Sequence, residues 1–203
     1  MGVEETTLRG KHVILEPLRP EHAAELWLAA DHRETWRYMT REVASRDALA
    51  LWIEARRASH ERGRSLPFLQ RDAKTKAAIG ATSIFDIDPH HRRMEIGFTF
   101  LAPSHQGTLS NKEAKYLLLS HCFDGLDAIR VQLKTDARNA RARRAILAIG
   151  AKEEGVLRKH DRMPDGTWRD AVVYSIIGSE WPAVKLHLET VIAGRGARTP
   201  NAR

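Results

Sequence analysis

The chain has one cysteine among its 203 residues, which excludes an internal disulfide framework and a cysteine-rich zinc centre. It has no apolar run of membrane-spanning length, and its charged N-terminal stretch lacks the apolar core of a signal peptide. A reducing cytoplasm is the compartment expected from these absences. Aromatics are few, at 6%, and none is interleaved with the basic residues in the manner of a nucleic-acid motif, so nucleic acid is not the expected partner despite a net charge of +7. No internal repeat or domain boundary is visible. Residues 1–193 read as one domain, and 194–203, with Arg195, Arg198 and Arg203 among small and polar residues, reads as a disordered basic tail.

What is present is a spaced series of amphipathic segments. A strand is expected over Lys11–Leu18, then a helix starting at Pro20, and a mixed loop or short helical turn over Trp36–Met39. Ser45 is placed to cap a helix that runs to Arg62, with Leu49, Trp52, Ile53 and Arg56 three and four residues apart. Three strands follow as an antiparallel meander: Leu66–Gln70, Ala77–Ile87 and Arg93–Leu101. A helix is expected over Leu109–Phe123, a strand over Ala128–Thr135, and a helix over Asn139–Ile149 closed by Gly150. Strands Lys152–His160 and Trp168–Ile177 and a last helix, Trp181–Ala193, complete the chain. The fold class is α/β of the α+β type, with a mostly antiparallel sheet.

The stretch from Pro103 to Phe123 joins the end of a strand to a helix through a polar loop. The first backbone N–H groups of a helix lack intrahelical acceptors and face outward, so Gln106, Gly107, Thr108, Leu109, Ser110, Asn111 and Lys112 form a candidate anion site. Cys122 lies on the apolar face of that helix and reads as a core residue. His90 and His91 sit in a turn and lack metal-ligand spacing, so no metal is expected.

With these residues in view, the chain resembles the GCN5-related N-acetyltransferase (GNAT) superfamily over roughly residues 8–192, and within it the RimJ/RimL-like group that acetylates the N-termini of ribosomal proteins. Gln106 and Gly107 match the opening of its phosphate-binding signature. Leu109 and Asn111 stand where small residues are usual. Asn139, Ala142 and Gly150 match the later helix, and Ile146 replaces an aromatic there. Glu154 with Gly155, and Tyr174, match the last two strands.

The resemblance implies a central sheet of about seven strands, splayed in the middle and flanked by helices on both faces. It implies acetyl transfer from acetyl-CoA to a primary amine, with a protein or peptide N-terminus as the acceptor. The alternatives are a small amine or antibiotic, or a non-catalytic CoA-binding protein on the same fold. Phe100, Leu101, residues 106–112, Asn139 and Arg144 would hold the cofactor. Lys112 and Lys115, with Arg138 and Arg141, are further cations for its phosphates. Glu95 is the expected base, Tyr174 a possible acid, and Asn139 a partner of the cofactor or simply a helix cap. Trp36 and Glu95 would face the acceptor, and a homodimer is possible.

Overall fold

The computed structural model describes residues 4–194. The expected basic tail lies, apart from Gly194, outside them. The apolar spacing yields the expected order of elements: β1 (Leu8–Arg9), β2 (Val13–Pro17), α1 (Ala23–Ala30), α2 (Arg33–Trp36), α3 (Arg46–Glu61), β3 (Ser65–Asp72), β4 (Ala78–Asp88), β5 (Arg93–Leu101), α4 (Leu109–Ser120), β6 (Arg130–Asp136), α5 (Ala140–Ala148), β7 (Lys152–Arg162), β8 (Trp168–Ile177) and α6 (Trp181–Ile192). The strands form one sheet in the order β1-β2-β3-β4-β5-β6-β8-β7. It has eight strands rather than about seven, because β1, only two residues long, pairs antiparallel with β2 around a turn at Gly10. The meander β3–β4–β5 is antiparallel as expected, and β5–β6 is the one parallel pair in the described sheet.

Neighbouring residues on a strand point to opposite faces, and the core divides accordingly. Leu69 of β3 packs with α1 and α3 through Leu26, Leu49, Trp52 and Ile53. Leu66 and Phe68 belong to the other face, where α4 and α6 supply Leu118, Leu119 and Leu188. A fully buried leucine of this kind contributes about 1.5–3 kcal/mol. Expected helix 109–123 is α-helical only to Ser120. His121–Gly125 widen into a π turn in which Leu126 N–H donates to His121 O at 2.9 Å.

Glu113 fixes α4 against the sheet edge. Its carboxylate accepts the backbone N–H groups of Lys11, His12 and Val13 at 2.8, 2.5 and 2.9 Å. The turn fits closely around it: a Cβ on Gly10 would fall 2.3 Å from Glu113 Oε2. The β1–β2 turn and the helix that follows the polar loop are thus one unit.

Candidate active site

The parallel ladder of β5 and β6 contains three register pairs, Arg93–Arg130, Met94–Val131 and Glu95–Gln132. Past Glu95 the two strands diverge, although β5 runs on to Leu101 and β6 to Asp136. A bulge shapes the divergence. Between the pairs Ala81–Phe100 and Ser83–Gly97, β5 carries one residue more than β4, and Phe98 takes a left-handed backbone at φ +50. The result is a wedge between two strands whose facing backbone edges do not pair with each other.

The phosphate-loop candidate lies at the open end of the wedge. Pro103–His105 form a single 3-10 turn, and Gly107 then turns left-handed at φ +77. Nothing lies within 4 Å of the place a Gly107 Cβ would occupy, so conformation rather than crowding calls for glycine here. Thr108 caps α4: its Oγ1 accepts Ser110 N–H at 3.3 Å and donates to His105 O at 2.8 Å. Gln106 ties the loop to its surroundings. Its Nε2 donates to Leu101 O at 2.9 Å, and Arg141 of α5 donates to its Oε1. Leu109 is half-buried, and Asn111 Oδ1 is buried without a hydrogen-bond partner.

The start of α5 lines the other side. Asn139 caps the helix, its Oδ1 accepting Ala142 N–H at 3.0 Å. Arg144 is exposed, and no hydrogen bond or ion pair engages it among the described residues. Arg138 instead clamps the buried Asp136 through Nε at 3.0 Å and Nη2 at 2.8 Å. Phe100 and Leu101 point their side chains into the two cores, which leaves only their backbone facing the wedge.

Lys115 is not where a phosphate-screening cation would be. It is 7% exposed, and its Nζ donates to Thr99 Oγ1 of β5 at 2.8 Å, Thr99 in turn lying 2.7 Å from Thr82 Oγ1. Burial lowers its amine to about 7. The helical spacing carried this signal, since residues 115, 118, 119 and 122 share one face.

Glu95 sits where the ladder ends, on the face opposite α4. It is 5% exposed, and Gln132 Nε2 donates to its Oε2 at 2.8 Å. Burial raises its carboxyl above the ordinary range, opposed by Lys134 and by the Gln132 hydrogen bond. Arg92 does not pair with it, being bound to Asp127 instead. Lys134 Nζ lies 3.2 Å from His160 Nε2, so Gln132, Lys134 and His160 form a polar surround for the carboxylate. Sequence reasoning passed over this surround. Its signal was the alternation on β6, where residues 130, 132 and 134 are polar while Val131 and Leu133 are buried.

Tyr174 is fully buried, and its hydroxyl accepts Arg143 Nε–H at 3.1 Å. Trp36 is also a core residue. It is 5% exposed, its indole N–H donates to Ala30 O at 2.8 Å, and its ring packs 4.8 Å from Phe100 and 6.1 Å from Trp52. The nearby segment that does reach across is Tyr38, whose carbonyl accepts Arg169 Nη1–H of β8 at 2.7 Å. Cys122 is fully buried and burial raises its thiol further, which is the setting of a core residue rather than a nucleophile. Among the described residues no group of three or more His, Cys, Asp or Glu is placed to hold a metal, and no helix is long and apolar enough to cross a membrane.

Comparison with known proteins agrees with this geometry. The Acetyltransferase (GNAT) domain model matches residues 12–152. An uncharacterized N-acetyltransferase of Bacillus subtilis (strain 168), YoaA, is 26% identical over 171 residues, which are 84% of this chain and 96% of the relative. A solved T. thermophilus protein described as an acetyltransferase is 39% identical, covers 94% of this chain and 99% of its own, and superposes with a TM-score of 0.85. Mycobacterium smegmatis RimJ in complex with CoA-disulfide is 28% identical, covers 94% of each chain, and superposes with a TM-score of 0.76. Since the domain match runs from the start of the β1–β2 hairpin's second strand into β7, the chain belongs to the GNAT family and is an acetyl-CoA-dependent acyltransferase.

Proposed function

We propose that this protein is an N-acetyltransferase that acetylates a primary amine held above Glu95, with the α-amino group of a protein or peptide as the acceptor. The observation that carries the reading is the parting of β5 and β6 directly after the Glu95–Gln132 pair. It sets a buried carboxylate at the apex of a wedge whose open end is a left-handed glycine and a capped helix N-terminus.

The residues present fit acetyl-CoA. The outward-facing N–H groups of the Gly107 loop and of the first turn of α4, with the positive end of that helix, suit a pyrophosphate. Lys112 and Arg144 add charge, with Arg141 held at the loop by Gln106. The facing edges of β5 and β6 offer backbone partners for the amide-bearing arm. Acetyl-CoA supplies an acetyl group activated as a thioester, whose C–S bond breaks as the C–N bond to the acceptor forms, releasing the free thiol.

The protein's own part is to place the amine and take its proton. An α-amino group has a pKa of about 7.7–8.0, so it needs only modest help near neutrality. Glu95, whose carboxyl burial raises above its ordinary value, accepts the proton directly or through one water. Orientation supplies the larger share, since holding two reactants in register can lower a barrier by roughly 7–11 kcal/mol. Tyr174 is fully buried in the wall, and this burial, rather than its hydrogen bond from Arg143, argues against a proton-donor role. A free thiol has a pKa of about 8.5 and leaves with little assistance. The RimJ-like resemblance supports the α-amine acceptor, and the continuous eight-stranded sheet supports one catalytic domain over residues 1–193.

The test is free-thiol release from acetyl-CoA with a panel of peptides, together with mass detection of the acetylated peptide N-terminus. Release that depends on the peptide, with the modification at its α-amine, supports the reading. Transfer only to lysine side chains or only to water would remove it.

A further inference from the structure

Next to Glu95, on the same face of the sheet, lies a cleft of about 570 Å³. Phe85 joins the two. It is the register partner of Glu95, and its ring edge lies 2.9 Å from the place a Gly97 Cβ would occupy, itself 3.9 Å from Glu95 Oε1. The chemistry of the cleft is unlike that of the wedge. Arg56 of α3 and Arg62 and Arg64 of the following turn line it, against a single carboxylate, Asp86. Asp86 makes only a long, exposed contact with Arg64, 3.9 Å, which neutralises little. Among the described residues no ion pair engages Arg56 or Arg62.

Arg56 is held as a recognition group. Its guanidinium lies 3.9 Å over the Phe98 ring, and Phe98 packs 4.5 Å from Phe85. Stacking fixes the plane of the guanidinium while leaving N–H groups at its edge. Two buried polar atoms of the lining, Arg56 Nε and Ser83 Oγ, have no hydrogen-bond partner. Strain gathers here too: Asp86 at φ +52 and Phe98 at φ +50 are both left-handed, a costly state for such residues that commonly accompanies a working surface. A basic, aromatic-floored cleft with unsatisfied donors suits an anion attached to an apolar or compact body. It repels a polyamine.

We propose that this cleft is an anion subsite for the acceptor: the amine that is acetylated also carries a carboxylate or phosphate, held by Arg56 and Arg62 while its amino group reaches Glu95. This rests on the acetyl-transfer reading above and names its substrate class. The anion has three possible sources, which are the α-carboxylate of an amino acid, an acidic side chain next to a peptide N-terminus, or a phosphate ester of a small amine.

The experiment compares amines matched except for charge: phenylalanine with phenethylamine, O-phosphoethanolamine with ethanolamine, and a peptide starting Ala-Asp with one starting Ala-Asn, with spermidine as the polycation. In at least one pair the anionic member should have kcat/KM about tenfold or more above its neutral partner, and the pair that shows this identifies the source. Arg62→Gln, at an exposed position, and Arg56→Gln should each collapse that ratio toward one, mainly through KM. Direct calorimetric binding of phenylalanine, O-phosphoethanolamine and the Ala-Asp peptide, weakened in Arg62→Gln, is the readout that does not need turnover. Equal or better use of the neutral amines or of spermidine, or no calorimetric binding of any anionic amine at millimolar concentration, would overturn the proposal. Failure of acetyl-CoA itself to bind would show separately, as a fault of the underlying reading.

Discussion

Lys115 offers the most quantitative test of how the structure is held together. Its amine is buried against Thr99, and burial lowers its pKa from 10.5 to about 7. The unfolded chain therefore takes up a proton as pH falls below about 10.5, while the folded chain resists until about 7. Stability from this group is lost as pH falls through that interval and regained as pH rises. Each tenfold difference in proton affinity is worth about 1.36 kcal/mol. Between about pH 7 and pH 9, integration of the two titrations gives a gain of about 2 kcal/mol for the wild type.

Lys115→Met fills the same space without a charge to desolvate. At about pH 7 the variant should be more stable than the wild type by about 2–4 kcal/mol, after allowing about 1 kcal/mol for the lost hydrogen bond. The advantage should shrink by about 2 kcal/mol by pH 9. The raised thiol of Cys122 acts oppositely at alkaline pH but cancels in the comparison. Urea unfolding of both proteins across this range, with unchanged m-values, measures the difference. A pH-independent difference, or a variant less stable at pH 7, would refute the buried neutral amine.

Glu95→Gln should lower kcat by about 10²–10⁴-fold and abolish the acidic limb of the pH–rate profile, since the base is active only above its raised pKa; the same substitution should not lower the melting temperature near neutrality, because it removes a buried charge. Glu113→Ala should cost about 2–4 kcal/mol in urea unfolding, as it strands three backbone N–H groups that a charged acceptor now satisfies. Tyr174→Phe should keep kcat within a few-fold, since the hydroxyl is buried; a loss of about a hundredfold would restore it as a proton donor.

Much of this fold was legible because local signals agree with tertiary ones. Ser45 caps α3 through its Oγ, accepting Ala48 N–H at 3.1 Å, and Gly150 closes α5 left-handed at φ +90, each as its residue type implies. The signals that failed were those without a local period. β1 is two residues held by pairing with β2 across a turn whose Lys11 N–H is bound by Glu113, 102 positions away in sequence. The π turn after Ser120 has no composition mark. As a large aromatic, Trp36 suits either an acceptor wall or a core, and only the carbonyl of Ala30 and the rings of Trp52 and Phe100 settle which. In the site, Gln106 and Gly107 were readable as a motif. The cleft of Arg56, Arg62 and Phe98 was not, because it is assembled from α3, the turn after it and a bulge in β5.

The central claim is that the wedge between β5 and β6, mouthed by the Gly107 loop, holds acetyl-CoA. Calorimetric titration of CoA into the wild type and into Gly107→Ala tests it most directly. A non-glycine residue at φ +77 pays roughly 1–2 kcal/mol in that conformation. The wild type should bind one CoA per chain, and the variant should fold normally yet bind about tenfold or more weakly. No heat of binding at millimolar CoA, or equal affinity in the two proteins, would contradict the claim.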